Sequence, residues 1–453
     1  MPSISVTATQ APSTGKKVGF REMFVTADGR NHLLTFILVS TLFALWGFCN
    51  GQLDTLNKHF QNSLGVTLAE STFVQFVTFI GYAIMAFPAG MFAHRFGYKG
   101  GILLGLGLVA AGSFWFIPAT RIGTYPAFLT GLFIIAFGLA CLETVANPYT
   151  TVLGPPEASA ARINLAQSTN GLGVLLGPII GGAFYLSDTG QVNISNDKLY
   201  LPYLGIGIVV TLLAIAFALP KVPEVREATT ATSTSSNARL WNRPHFAFAV
   251  FAQFCYVGAQ IALWGLFINY LTSKDTMPPL SAGLAHALPA SWTFADGDIF
   301  RVTDRGGSWL LSLGGFGLFL VGRLSGSWAM RMFKPQKTLA LYGAINVLMM
   351  ALVFLRLGWL SVFGLFASNF FMSIMFPTIF SLGLVGLGDK TKKASSFIVM
   401  SIGGGAVFPL LNGWIAGHFS LSTGAIVPLL CFAAVMAYAL AWEKLEQKSR
   451  AAA

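Results

Sequence analysis

Charge is what this chain has least of. Only 10% of its 453 residues are Asp, Glu, Lys or Arg, against about 25% in an ordinary soluble domain. So little charge cannot cover a water-soluble fold of this length. A hydrophobic content of 54% and a mean hydropathy of +0.67 place the chain in a bilayer instead. Cysteine is scarce too. The four present, Cys49, Cys141, Cys255 and Cys431, have neither CxxC spacing nor histidine partners, so they are expected to pack as small apolar groups without disulfide or metal chemistry. No nucleophile–base set or metal constellation emerges, which argues against an enzyme. The net charge of +11 would suit nucleic acid, but no segment concentrates the basic residues, so that partner is not expected.

What the chain does have is apolar runs long enough to cross a hydrocarbon core of about 30 Å. They fall near 33–57, 71–93, 100–119, 125–153, 162–187, 200–219, 245–271, 308–332, 338–357, 360–386, 394–418 and 424–442, which predicts an all-α polytopic membrane protein of about twelve transmembrane helices. Of the 28 Lys and Arg, 20 then fall on one face of the membrane, 7 on the other and one, Arg323, inside a span. By the positive-inside rule both termini are cytoplasmic. Residues 1–30, polar and poor in large apolar groups, read as a disordered cytoplasmic tail ahead of a span too long for a cleaved signal. Residues 444–453 form a second cytoplasmic tail.

The segment 221–243, rich in Thr, Ser, Ala and charge, reads as a cytoplasmic linker between two six-helix bundles, 31–220 and 244–443. The bundles echo each other. "ALWG" occurs at Ala44–Gly47 and Ala262–Gly265, Gly90 and Arg95 match Gly326 and Arg331, and Pro148 and Gly154 match Pro377 and Gly383. The offsets are 218, 236 and 229, so the halves align if the outer loop 272–307 is 18 residues longer than its counterpart. That loop, with Asp296, Asp298, Arg301, Asp304 and Arg305, is either a lid or a tolerated insertion. Parallel six-span repeats are the architecture of the major facilitator superfamily, whose halves rock about a midplane site. The run Gly90-x-x-x-His94-Arg95-x-Gly97-x-Lys99 resembles that superfamily's signature loop, with His94 in place of the usual Asp. These residues and Arg331 are gating candidates, or simply positive-inside anchors.

Three ionisable residues remain well inside spans: Asp54, Glu143 and Arg323. An intramembrane charge is a functional hypothesis by default, because a packing role does not need the desolvation cost. Asp54 is expected toward the outer end of span one and Glu143 deeper, past the middle of span four. Two carboxyls at different depths can pass a proton in sequence, and a carboxyl out of water holds its proton more tightly. The competing arrangement is a fixed ion pair with Arg323, which can equally be a sugar-hydroxyl donor or a packing anchor. Asn50, Gln52, Asn147, Gln167, Asn170, Gln260 and Asn269 are amides in spans, suited to a ligand covered in hydroxyls. Trp46 and Trp264 are either stacking platforms for a sugar ring or ordinary packing and interfacial residues.

The segments "FALWGFCNGQLDTL" (Phe43–Leu56), "GLFIIAFGLACLETVANPYTTVLGP" (Gly131–Pro155), "RINLAQSTNGLG" (Arg162–Gly173), "VGRLSG" (Val321–Gly326), "FMSIMFPTIFSLG" (Phe371–Gly383) and "SSFIVMSIGGG" (Ser395–Gly405) resemble the fucose/proton symporter family of that superfamily. The resemblance implies symport of a monosaccharide with protons into a bacterial cell across its cytoplasmic membrane. It places proton coupling and sugar binding on Asp54 and Glu143, and sugar contacts on Gln167, Asn170 and Arg323. The pattern departs at Gly51 and Leu53, where the family is richer in amides. No cofactor beyond the co-transported proton is expected, with sodium open as the coupling ion. A monomer in the lipid bilayer is expected, with a sodium-coupled or uncoupled carrier and a non-transporting sugar sensor as the alternatives.

Overall fold

The computed structural model describes residues 21–26, 29–155, 158–186, 199–219, 238–387 and 391–451. A backbone in hydrocarbon must satisfy its own N–H and C=O groups, so the apolar runs form helices. The first half holds α1 (Leu33–Gly51), α2 (Leu53–Leu64), α3 (Leu68–Ser71), α4 (Phe73–Ile122), α5 (Tyr125–Val152), α6 (Ser159–Tyr185) and α7 (Tyr200–Ala218). The second holds α8 (Ala238–Trp241), α9 (Pro244–Gly265), α10 (Phe267–Thr272), α11 (Ala282–Ala287), a hairpin of β1 (Thr293–Asp296) and β2 (Ile299–Val302), and α12 (Asp304–Trp309). After a π-helical stretch at Leu310–Phe316 come α13 (Gly317–Met332), α14 (Pro335–Phe354), α15 (Trp359–Met372), α16 (Met375–Gly383), α17 (Thr391–Met400), α18 (Gly404–His418), α19 (Leu421–Gly424) and α20 (Ile426–Ala451).

Among the described residues, 11 helical stretches are long and apolar enough to cross a membrane. The 27 residues of α6 are long enough as well, but Gln167, Ser168, Thr169 and Asn170 keep that helix more polar. With α6 counted, the polytopic all-α fold is the expected one. Its exterior is apolar, with Leu34, Phe87, Leu212, Leu324, Phe363 and Leu440 all exposed. The four cysteines are buried and free.

The helix plan repeats. In the first half α1 packs on α6 and α4 on α7; in the second α9 packs on α18 and α14 on α20. Glycines make the α1–α6 approach possible. A Cβ on Gly51 would stand 2.5 Å from the Val174 carbonyl oxygen, and one on Gly177 would stand 2.5 Å from the Gly51 carbonyl carbon.

Three spans differ from expectation. The first runs to Leu64 rather than 57, because α2 carries a polar face that packs inside the protein, with Asn57, His59 and Asn62 buried. The second and third are joined in one 50-residue helix, α4, broken only at Gly97 (φ 74°, ψ 177°). That backbone conformation favours glycine.

The tail expected over residues 1–30 also needs correction. Glu22–Phe24 form a 3-10 turn with Met23 and Phe24 buried, and the Phe24 ring lies 4.9 Å from that of Phe36. Arg162, fully buried, fastens this turn. Its guanidinium donates to Met23 O at 2.8 Å, Thr150 O at 2.9 Å, Pro155 O at 3.1 Å and Gly154 O at 3.2 Å. Carbonyls in the last turn of α5 and just past it lack helical donors, and Arg162 supplies them at Thr150, Gly154 and Pro155 while reaching Met23. Residues 1–20 and 220–237 lie outside the described residues. Most of 444–453 continues α20 to Ala451.

The crossings alternate, so the molecule has a linker end, with Gly97 and α8, and a hairpin end, with Gly65, Gly123 and the β1–β2 hairpin. The halves meet at the hairpin end, through α2 with α9 and α10, α3 and α4 with α18, and α6 with α12. The loop expected at 272–307 is folded. Lys274 and Arg301 pair with Asp296 at 2.8 and 2.9 Å and hold its carboxyl below the usual carboxylate range, while Trp292 packs 5.5 Å from Trp309. Contact with the first half comes where the loop enters α12. Asp304 accepts from Asn62 at 2.5 Å and lies 3.6 Å from Lys58, and Arg305 donates to Leu186 O at 3.3 Å.

Candidate functional site

Asp54 lies on α2, just beyond the break at Gln52. It stands ten residues before Leu64, about 15 Å along the helix, and so is deeper than the outer-end position expected for it. Its Oδ1 accepts from Gln75 Nε2 on α4 at 3.3 Å.

Glu143 lies half-buried on α5, lining a cleft with Leu42, Phe43, Trp46, Leu142 and Ala146. Among the described residues its carboxyl makes no hydrogen bond or ion pair, so the fixed pair with Arg323 is not formed. The groups around it are polar and interlinked. Trp46 Nε1 donates to the Tyr82 hydroxyl, which also accepts from Asn50 Nδ2 at 3.3 Å and lies within electrostatic reach of Glu143. On the other side, Asn147 Nδ2 donates to Glu143 O at 3.1 Å, and Gln167 Nε2 donates to Asn147 Oδ1 at 3.2 Å. The fold thus gathers Trp46, Asn50, Glu143, Asn147 and Gln167 from α1, α5 and α6.

Two expected members of this group are turned elsewhere. Asn170 is buried and donates to Phe43 O at 3.2 Å, tying α6 to α1. Gln52 is buried inside the first bundle, where its Oε1 accepts from the Tyr185 hydroxyl at 2.8 Å. Gln260 is half-buried on α9, one helical turn before Trp264, and Asn269 is buried on α10.

Arg323 comes from α13, which faces α6: Leu320 Cδ1 stands 3.6 Å from where a Gly171 Cβ would be. Its guanidinium rests over the Phe319 ring at 4.9 Å, and Nε donates to Ser373 O at 3.4 Å. The sequence explains that contact. In an unbroken helix Ser373 O would accept from residue 377, but Pro377 has no N–H. The chain breaks between α15 and α16 at this point, and Arg323 takes the stranded carbonyl.

The gating candidates lie at the linker end. Gly97 makes the turn within α4, Arg95 stands 5.4 Å over the Phe96 ring, and Lys99 Nζ donates to Ala218 O at 2.7 Å within the same half. A Cβ on Gly90 would come no closer than 3.9 Å to Thr144. The side chains of His94 and Arg331 lie outside the described residues.

Sequence reasoning missed Gln75, Asn57 and Gln61, all buried or half-buried amides. The signal was available. Gln75 is a lone amide in an apolar run, and Asp54, Asn57 and Gln61 repeat at helical spacing on one face. Among the described residues no cluster of three or more His, Cys, Asp or Glu is placed to hold a metal ion.

The sequence matches the family model described as Major Facilitator Superfamily over residues 33–403. It is 35% identical over 435 residues to the L-fucose-proton symporter of Escherichia coli K12, covering 91% of this chain and 94% of that protein. It is 32% identical over 421 residues to a glucose/galactose transporter of Brucella abortus, covering 92% of this chain and 96% of that protein. The crystal structure of a major facilitator superfamily transporter, FucP, in the outward conformation superposes with a TM-score of 0.65 at 34% identity, covering 91% of this chain and 99% of that one.

Proposed function

The chain belongs to the major facilitator superfamily of transporters, and from that premise we propose that it imports a hexose-like monosaccharide together with protons by alternating access. The relatives named for fucose, glucose and galactose transport support the substrate class. In this reading the protein lies in a bacterial cytoplasmic membrane with the linker end and both termini in the cytoplasm, and His94, Arg95, Gly97, Lys99 and Arg331 gate that end. The hairpin end is closed here by contacts between the halves, whereas the FucP structure is in the outward conformation.

The observation that carries the proton role is Glu143. A carboxyl inside the membrane, facing a cleft and paired with no cation among the described residues, can gain and lose a proton as that cleft changes sides. Amides at Asn50, Asn147 and Gln167 sit around it and can donate to and accept from sugar hydroxyls. Asp54, at a different depth, is the second proton site, and Arg323, across the divide, donates to the sugar from the other half. An inward proton is worth about 2.3 kcal/mol per 100 mV, enough for roughly fifty-fold accumulation.

The test is tracer sugar uptake into proteoliposomes under an imposed proton or sodium gradient, run across a monosaccharide panel. Uptake driven by the proton gradient alone is the expected result. Uptake driven only by sodium, uptake indifferent to both, or binding without uptake would each overturn the reading and select a sodium-coupled carrier, an uncoupled carrier or a sensor respectively.

A further inference from the structure

We propose that Gln75 and Asn57 are positioning residues that tie Asp54 to the closure of the hairpin end, through a chain of amides crossing between the halves. The proposal rests on the proton role given above to Asp54. The chain begins in the second half. Asn269 Nδ2 donates to Gln61 Oε1 at 2.5 Å, Gln61 Nε2 donates to Asn57 Oδ1 at 2.8 Å, Asn57 Nδ2 donates to Gln75 Oε1 at 3.1 Å, and Gln75 Nε2 donates to Asp54 Oδ1 at 3.3 Å. These four donors run in one direction, toward the carboxyl; Gln61 Nε2 also reaches back to Asn269 Oδ1 at 3.4 Å, a longer bond than its 2.8 Å one to Asn57. Bonds aligned like this polarise one another, so a change at one end is felt along the row.

The row meets the second half at two places. One is Asn269 on α10. The other is the Gly265 carbonyl, which ends α9 and accepts from Asn57 Nδ2 at 3.2 Å. A Cβ at Gly265 would lie 3.0 Å from Gln75 Nε2, so a glycine lets α9 seat directly on the amides. Asn57 and Gln75 are fully buried, and Gln61 is also held by Ser71 Oγ at 2.9 Å, leaving these amides little freedom to find other partners.

Asp54 therefore terminates a row whose other end is the closed interface. An ionised carboxyl accepts a hydrogen bond more strongly than a neutral one. Opening the hairpin end removes Gly265 O and Asn269 from the row, and neutralising Asp54 weakens the acceptor at its far end. Each event favours the other, as linkage between two sites requires. An amide suits the intermediate positions because it accepts on one atom and donates on the other, and it carries no charge of its own.

The experiment places a reporter at Thr72→Cys, where Thr72 is buried against Gly413 of α18 at the closed end, and follows its reaction with a membrane-impermeant maleimide. The unaltered chain, whose four cysteines are buried, is the background. Asp54→Asn is expected to speed labelling about fivefold or more. In a Gln75→Leu background labelling is already fast, and adding Asp54→Asn changes it no further. Gln61→Leu, which breaks the row at a less buried position, gives the same non-additive result and stands in if Gln75→Leu fails to fold. If Asp54→Asn speeds labelling by the same factor with and without these changes, or leaves the rate unchanged in the unbroken row, the proposal is overturned. Sugar accumulation by Asp54→Asn separates the two ideas. Lost accumulation with additive labelling removes the relay alone, while non-additive labelling with full accumulation keeps the relay and removes the proton role of Asp54.

Discussion

Trp46 and Trp264 occupy the same point of the two repeats, yet their indoles end on different partners. The first donates to the Tyr82 hydroxyl beside Glu143; the second donates to Asn369 Oδ1 at 2.8 Å, with Phe316 and Phe319 edge-on to its ring. The contrast extends through the halves. The first half holds both intramembrane acids and most of the amides, and the second holds Arg323 among aromatic rings. Packing therefore keeps the repeat, because both bundles must seat their helices alike, while the chemistry is free to diverge at positions that face the divide. In the proposed mechanism the first half handles the proton and carries the sugar-contacting amides, and the second half adds the charged donor of Arg323.

The comparison breaks most sharply at Glu143. Glu143→Gln is expected to reduce accumulation from about fifty-fold to none while sugar exchange down its gradient persists; transport of tracer sugar with and without a membrane potential checks it. Retained accumulation would move the proton role away from Glu143. On the other side, Arg323→Leu is expected to weaken sugar affinity about tenfold or more, from the loss of a charged donor, as read by calorimetry. It also strands Ser373 O. Pro377→Ala, which returns an N–H to the helix, should recover part of the lost thermal stability in the double variant, and no recovery would show that the Arg323–Ser373 contact carries no stability.

The two tryptophans sharpen the contrast at smaller scale. Trp264→Phe leaves the buried Asn369 Oδ1 without its donor, at a cost of about 1–3 kcal/mol. Trp46→Phe should cost less, because Tyr82 still accepts from Asn50, and thermal unfolding in detergent orders the two. The smallest effect is expected at the clasp. Asp304→Asn removes a partly screened pair with Lys58, worth about 1 kcal/mol or less, and should speed Thr72→Cys labelling only slightly.

The crossings, the repeat, Asp54, Glu143 and Arg323 were legible in the sequence because hydrocarbon tolerates so few polar groups that each one is visible. Legibility failed where polarity is cheaper or partners are distant. Span one, cut at residue 57, hid the polar face of α2, and with it Asn57 and Gln61. Arg162 read as a charge at the membrane surface, although four carbonyls from two segments surround it. Gln52 and Asn170 looked like ligand groups because an amide's type does not reveal its direction; the fold spends one on Tyr185 and the other on Phe43. The pairing of Pro377 with Arg323 joins residues 54 apart in sequence, and only the broken helix between them gives it meaning.

The claim that Glu143 carries the transported proton is tested most directly by a pH electrode in a lightly buffered suspension of de-energised cells. Adding the transported sugar to cells with the unaltered chain should make the medium alkaline, and adding it to cells with Glu143→Gln should not, although sugar still enters. An alkaline shift of equal size in both, or none in either while sugar enters, would contradict the account.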